Sequence, residues 1–158
     1  MKRILFVCLG NICRSPAAEG ILKKKVQEQG LDTQFHIDSA GTYGYHTGEM
    51  PDARMRKHAS RRGYHLTSLS RMVTYNDFEQ FDLIIGMDDN NIQTLKRMAP
   101  NLTSQQKIRR MTDYCREYTE DCVPDPYYGG ADGFEHVIDL LEDACEGILQ
   151  KFHNGIDI

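Results

Sequence analysis

Three features predict an α/β fold with a doubly wound parallel sheet. Short apolar, partly β-branched runs stand at residues 4–7, 35–40 and 81–87, bounded by polar and glycine-containing stretches in the manner of buried strands. Segments with three- and four-residue apolar spacing separate them, so strands and helices alternate. The chain's 158 residues suit one domain, 1–158, able to bury its own core without disulfide staples.

Each element follows from local chemistry. Ile4-Leu5-Phe6-Val7 is expected to form a central strand, and Ser15 to cap a helix that has Pro16 in its first turn and stops at Gly30. Phe35 to Ala40 forms the second strand, followed by a Gly- and Tyr-rich loop to about Pro51. Asp52 to Arg62 reads as a basic helix closed by Gly63, and Thr74 to Gln80 as a short helix. Phe81 to Met87 is the clearest buried strand; Asp88 and Asp89 open a helix that Pro100 ends, and Lys107 to Met111 is a shorter strand. Phe134, Val137, Ile138, Leu141, Cys145, Ile148, Leu149 and Phe152 form the stripe of a long last helix packed on the sheet.

The turn between the first strand and first helix carries the chemistry. In Cys8-Leu9-Gly10-Asn11-Ile12-Cys13-Arg14-Ser15-Pro16, Gly10-Asn11 tolerates left-handed backbone, so successive N–H groups can face inward and form an anion-binding nest at a helix N-terminus. Cys8 at its rim would be held as thiolate by those amides and by Arg14, whose planar fork can grip two phosphate oxygens. The Gly-x4-Gly-Lys-Ser/Thr pattern of a passive nucleotide cradle is absent. Cysteine and arginine at this spacing point to covalent chemistry on phosphate.

Val7 to Pro16 closely resembles the signature loop of the low-molecular-weight protein tyrosine phosphatases. The resemblance extends along the chain through Asp38-Ser39-Ala40-Gly41-Thr42, Met87-Asp88 and Asp125-Pro126-Tyr127-Tyr128-Gly129. It implies four parallel strands in the order 2-1-3-4, hydrolysis of phosphotyrosine through a phosphocysteine on Cys8, a phosphate-binding loop of Leu9, Gly10, Asn11, Ile12, Cys13 and Ser15, and Asp125 as general acid. Asn11, Ser15 and Ser39 are implied to support the loop and thiolate, with Ser68 at the position where mammalian members place a histidine. Asp88 is expected to cap a helix or join this network.

Asp125, fixed between Pro124 and Pro126, is the carboxyl group best suited to protonate a leaving oxygen. Tyr45, Tyr127 and Tyr128 are candidate walls for an aromatic substrate ring. In the related phosphoarginine-cleaving branch a threonine stands where this chain has Ile12, so isoleucine favours phosphotyrosine. Cys13 is placed either to form a reversible disulfide with Cys8, making the enzyme redox-sensitive, or to pack beneath the loop. Cys115 and Cys122 raise the alternative of an arsenate reductase of the same fold, and a non-catalytic phosphotyrosine-binding module is a further alternative.

Five cysteines without a dense framework suggest reduced thiols and a cytoplasmic setting. Gly10, Asn11 and Arg14 interrupt the first apolar run before it could become a signal sequence, and no stretch approaches a membrane span. A net charge of −4 argues against nucleic acid as a partner. The expected partners are phosphotyrosine-bearing proteins and a cognate tyrosine kinase, with inorganic phosphate as product. Neither cofactor nor metal is expected, since no close Cys/His cluster has ligand spacing.

Overall fold

The apolar runs become strands because they are buried on both sides. A computed structural model describes residues 1–127 and 129–158. Its four strands, β1 (Lys2–Cys8), β2 (Phe35–Gly41), β3 (Leu83–Gly86) and β4 (Ile108–Arg110), form one sheet in the order β2-β1-β3-β4. All pairings are parallel, with Phe6 opposite Ser39 on one side and Ile85 on the other. The helices are α1 (Arg14–Glu28), α2 (Ala53–Arg61), α3 (Asp77–Gln80), α4 (Asp89–Met98), α5 (Leu102–Gln105) and α6 (Ala131–His153).

Strand alternation divides the interior in two. Ile4, Phe6, Leu83 and Ile85 join Ile21 and Leu22 of α1 and Val137, Ile138, Leu141 and Ile148 of α6. Leu5, Val7, Ile84 and Ile108 face the other way, onto Phe78, Ile92 and Leu95. Because β2 and β3 flank β1 on opposite sides, the chain reverses its direction of winding beside the carboxyl end of β1, the usual place for a ligand crevice in an open α/β sheet. Cys8 is the last residue of that strand.

Three local outcomes differ from the sequence expectation. Helix α1 begins at Arg14 with Cys13 in the cap position, so Ser15 is not the cap; its hydroxyl is turned toward Cys8 and Asn11 instead. The third strand is shorter than residues 81–87: Phe81 and Met87 are buried but lie beyond the ladder. Helix α5 was not anticipated, although Asn101 caps it by accepting from the Ser104 N–H.

One arginine fastens α6 to the end of α2. Arg62 Nη1 donates to Asp139 (2.8 Å) and Glu142 (2.6 Å), and Nη2 to Glu135 (2.9 Å). Tyr64 adds a hydrogen bond to Glu142, and His58 one to Glu135. Hydrogen bonding to Arg62 holds the Glu135 carboxyl below its ordinary value. Because the carboxylates stay partly wet, Arg62→Ala should destabilise by only about 1–2 kcal/mol, lowering the melting temperature by about 3–6 °C. A depressed carboxylate contributes stability above its unfolded pKa and loses it as pH falls through the folded value. The difference between wild type and Arg62→Ala in thermal melts should therefore narrow in acid.

Candidate active site

The loop between β1 and α1 has its carbonyls turned out and its amides turned in. Thr42 and Tyr43 N–H groups donate to the Cys8 and Leu9 carbonyls (3.0 and 2.9 Å), and Asp52 N–H to that of Ile12 (2.7 Å). Ser70 Oγ donates to the Gly10 carbonyl (2.9 Å). Among the described residues, no N–H from Leu9 to Ser15 donates to a protein acceptor. These amides form a nest of donors at the N-terminus of α1. Asn11, at φ 56°, is the non-glycine residue whose left-handed conformation makes the reversal possible.

Asn11 is held by every polar atom of its side chain. Its Oδ1 accepts the Arg71 N–H (3.0 Å), while Nδ2 donates to Ser15 Oγ (2.8 Å) and Ser39 Oγ (3.0 Å). Ser39 Oγ in turn donates to Glu19 Oε1 (2.5 Å), a carboxylate that is 4% exposed and whose other oxygen takes Lys23. This terminus fixes a direction. A carboxylate only accepts, so Ser39 must donate to it and accept from Asn11, and Ser15 likewise accepts from Asn11. The single Ser15 hydroxyl proton is then left for Cys8, whose Sγ lies 3.0 Å from Ser15 Oγ, with the Ala40 carbonyl the more distant choice at 3.4 Å.

Sequence reasoning missed Glu19, Ser70 and Arg71. Glu19 had a visible signal: it is a charge among Ala17, Ala18, Ile21 and Leu22 on the buried face of α1. Ser68, assigned to this network from the resemblance, is half-buried and makes no hydrogen bond to the loop among the described residues, which is a correction. Two residues on, the Ser70 hydroxyl and the Arg71 backbone take up the loop instead. Ion pairs from the Arg71 guanidinium to Asp38 and Asp77, both at 3.0 Å, pin that segment to β2 and α3.

Arg14 is 2% exposed, a burial that its partners make tolerable. Its Nη1 donates to Asp88 Oδ2 (2.7 Å) and to the Val123 carbonyl (2.9 Å), and Nη2 lies 3.6 Å from Asp125 Oδ2. Asp88 does two things: Oδ1 caps α4 by accepting the Asn91 N–H, while Oδ2 orients Arg14. Asp125 Oδ1 accepts the Tyr127 N–H at 3.0 Å, a local turn that ties the tyrosine to the acid.

These groups share one cavity of about 370 Å³. Its floor is Cys8, Gly10, Ile12, Cys13 and Arg14; Leu9, Tyr43, Tyr45, His46, Asp125 and Tyr127 form its walls. Tyr43 and His46 were not foreseen. His46 lies against Gly10, where an added Cβ would sit 3.1 Å from its ring, and is fixed by Glu49 through Nδ1. Tyr128 falls outside the described residues. Cys13 is buried, and burial followed by the Asp52 and Cys8 charges keeps its thiol well above the ordinary range. No group of three His, Cys, Asp or Glu side chains among the described residues could hold a metal ion.

A cysteine at the rim of an amide nest, a buried arginine and a nearby carboxyl group can activate a thiol, hold a phosphoryl group and protonate its leaving oxygen. The model of the low molecular weight phosphotyrosine protein phosphatases matches residues 3–156. The chain belongs to that family. It is a protein-tyrosine phosphatase, a hydrolase whose substrates are phosphotyrosine-bearing proteins. The human low molecular weight phosphotyrosine protein phosphatase is 38% identical over 153 residues, 96% of each chain. A protein tyrosine phosphatase structure from Entamoeba histolytica superposes with a TM-score of 0.95 at 49% identity, covering 98% of this chain and 99% of that one. A Drosophila arginine phosphatase structure gives a TM-score of 0.89 at 35% identity, covering 96% and 98%.

The polarised chain can be tested at both ends. Ser15→Ala removes the hydrogen bond between Ser15 Oγ and Cys8 Sγ and should lower kcat of this phosphatase by about 10–100-fold. Glu19→Gln preserves the shape but not the acceptor-only terminus, and should cost a smaller factor, several-fold at most. Both variants should slow alkylation of Cys8 by iodoacetate while leaving competitive inhibition by phosphate near wild type.

Proposed function

We propose that the chain acts as one domain, 1–158, that hydrolyses phosphotyrosine through a covalent intermediate on Cys8, with Arg14 gripping the phosphoryl group and Asp125 exchanging protons. The observation that carries this reading is the meeting of Cys8, Arg14 and Asp125 in one cavity floored by inward amides. The Cys8 thiolate attacks phosphorus as the bond to the tyrosine oxygen breaks, and Asp125 gives its proton to the departing phenolate. Water then attacks the phosphocysteine, Asp125 takes its proton, the sulfur leaves as thiolate and inorganic phosphate is released. The nest and the Arg14 fork bear the charge of the transferring group throughout.

Cavity shape supports an aryl substrate. Cys8 is 3% exposed at the floor while Tyr45 is 78% exposed at the rim, so the phosphate sits deep and its carrier must span the walls of Leu9, Tyr45 and Tyr127. A flat ring suits such a slot. Likeness to the arginine phosphatase keeps phosphoarginine as the second reading, against which Ile12 stands. A cytoplasmic setting is supported by the five free thiols, and no helix among the described residues is long and apolar enough to cross a membrane. A cognate tyrosine kinase completes the proposed partners.

Metal-free rates on phosphotyrosine, phosphoserine, phosphoarginine and arsenate separate the readings, with phosphotyrosine expected to be fastest. Cys8→Ser should abolish turnover yet still bind vanadate. Asp125→Asn should lower turnover of phosphotyrosine by roughly 10²–10⁴, and far less for nitrophenyl phosphate, whose leaving group departs without a proton. Equal losses on both substrates would mean that Asp125 only shapes its loop.

A further inference from the structure

Arg54 is not part of the chemistry described above, yet it stands where the phosphate loop, the acid loop and α6 meet. Its backbone and guanidinium are both fixed by Asp52. The Asp52 carboxylate caps α2 through the Arg54 N–H (2.8 Å) and grips the guanidinium at both ends, Nε to Oδ1 at 3.1 Å and Nη2 to Oδ2 at 3.0 Å. Asp52 is itself tied to the phosphate loop, because its N–H donates to the Ile12 carbonyl. Held this way, the guanidinium lies 5.2 Å from the centre of the Tyr127 ring and 4.9 Å from that of Phe134.

The acid loop has reason to need such a support. Among the described residues its backbone bonds include the local pairs Tyr127 N–H to Asp125 Oδ1 and Gly129 N–H to the Pro126 carbonyl, and the glycines at 129 and 130 add no stiffness before α6 begins. Asp125 and Tyr127 are tied to one another because the Asp125 carboxylate accepts from the Tyr127 amide. A cation stacked on the Tyr127 ring therefore restrains the carboxyl group two residues away. Phe134 backs the arrangement from α6, where it stacks on His58, the partner of Glu135 in the α2–α6 fastening.

We propose that Arg54 is a positioning residue for proton transfer: stacked between Tyr127 and Phe134 and anchored to the phosphate loop through Asp52, it holds Asp125 over the leaving oxygen. The role rests on Asp125 being the general acid. It differs from simple attraction of anionic substrates, since Asp52 already neutralises much of the guanidinium charge and a broad guanidinium held over two rings is what a point charge cannot reproduce.

The test is a series of aryl phosphates of graded leaving-group acidity, from phenyl phosphate to dinitrophenyl phosphate, with wild type, Arg54→Ala, Arg54→Lys and Asp125→Asn. Arg54→Ala should lower turnover by about tenfold for phenyl phosphate and phosphotyrosine and by less than about threefold for dinitrophenyl phosphate, steepening the leaving-group dependence toward that of Asp125→Asn. Arg54→Lys keeps the charge but not the stack, and should show the steeper dependence with a wild-type KM. An equal loss on every substrate, or a rise in KM alone that Arg54→Lys restores, would overturn the proposal in favour of a structural or charge-steering role. A steep dependence in Asp125→Asn beside a shallow one in Arg54→Ala overturns the Arg54 role alone. A shallow dependence in Asp125→Asn removes the acid assignment and this proposal with it.

Discussion

A loop can aim its amides at one point only if its carbonyls are satisfied on the outside, and the rest of this structure is arranged around that demand. The acceptors of Cys8, Leu9, Gly10 and Ile12 are met by three different parts of the chain, the end of β2, the segment at Ser70 and the cap of α2. A buried carbonyl without a donor would cost about 1–3 kcal/mol, so these partners hold the nest open whether or not an anion occupies it. The close approach also explains Gly41, where any side chain would meet the Leu9 carbonyl at 2.8 Å. The β2 end must be bare for the loop to lean on it.

Buried charge is handled by the same logic of complete partnership. Arg14, Glu19, Asp77 and Arg71 all lie in or near the interior, and each faces a partner of opposite charge. Breaking such a pair strands the remaining ion, which is why one arginine can fix geometry more firmly than several exposed bridges. Arg71 is the plainest case: its side chain binds Asp38 and Asp77 while its N–H and carbonyl serve Asn11 and Gly41. The arrangement turns a surface loop into part of the scaffold for the reversal at Asn11.

What could be read from the sequence was what lies close along the chain. Cys8 to Arg14, the alternation of apolar runs with amphipathic ones, and the stripe on α6 depend on spacings that a linear reading can see. Groups that act across the fold had no such mark. Arg71 serves the loop through its backbone N–H, 60 positions from Asn11, and every residue except proline has one. The assignment of Ser68 shows the same limit from the other side, because correspondence by position cannot say whether a hydroxyl two residues further on does the work. Ser15 looked like a helix cap and lies two residues inside the cap position, which Cys13 holds. Competition from Cys8 and Asn11 for its hydroxyl decided the outcome, and that competition exists only after folding.

The distribution of thiols bears on which chemistry the fold can support. Passing a disulfide from the loop cysteine to a second pair, with electrons flowing from that pair back to the loop, requires that one of the pair be available as thiolate. Burial, followed by the Asp143 charge, pushes Cys115 up to about 12, and its sulfur is turned to the Leu140 carbonyl of α6 at 3.6 Å. Cys145 is fully buried and raised by burial too, and Cys13 is raised beneath the loop. A reductase relay through Cys115 would have to pull that thiol out of its packing against α6 and away from a carboxylate before it could react. Cys8 needs no such rearrangement, because the groups that would stabilise its anion are the inward amides, Arg14 and the directed hydroxyl of Ser15. The same groups would stabilise a phosphate, so activation of the nucleophile and recognition of the substrate are one electrostatic arrangement.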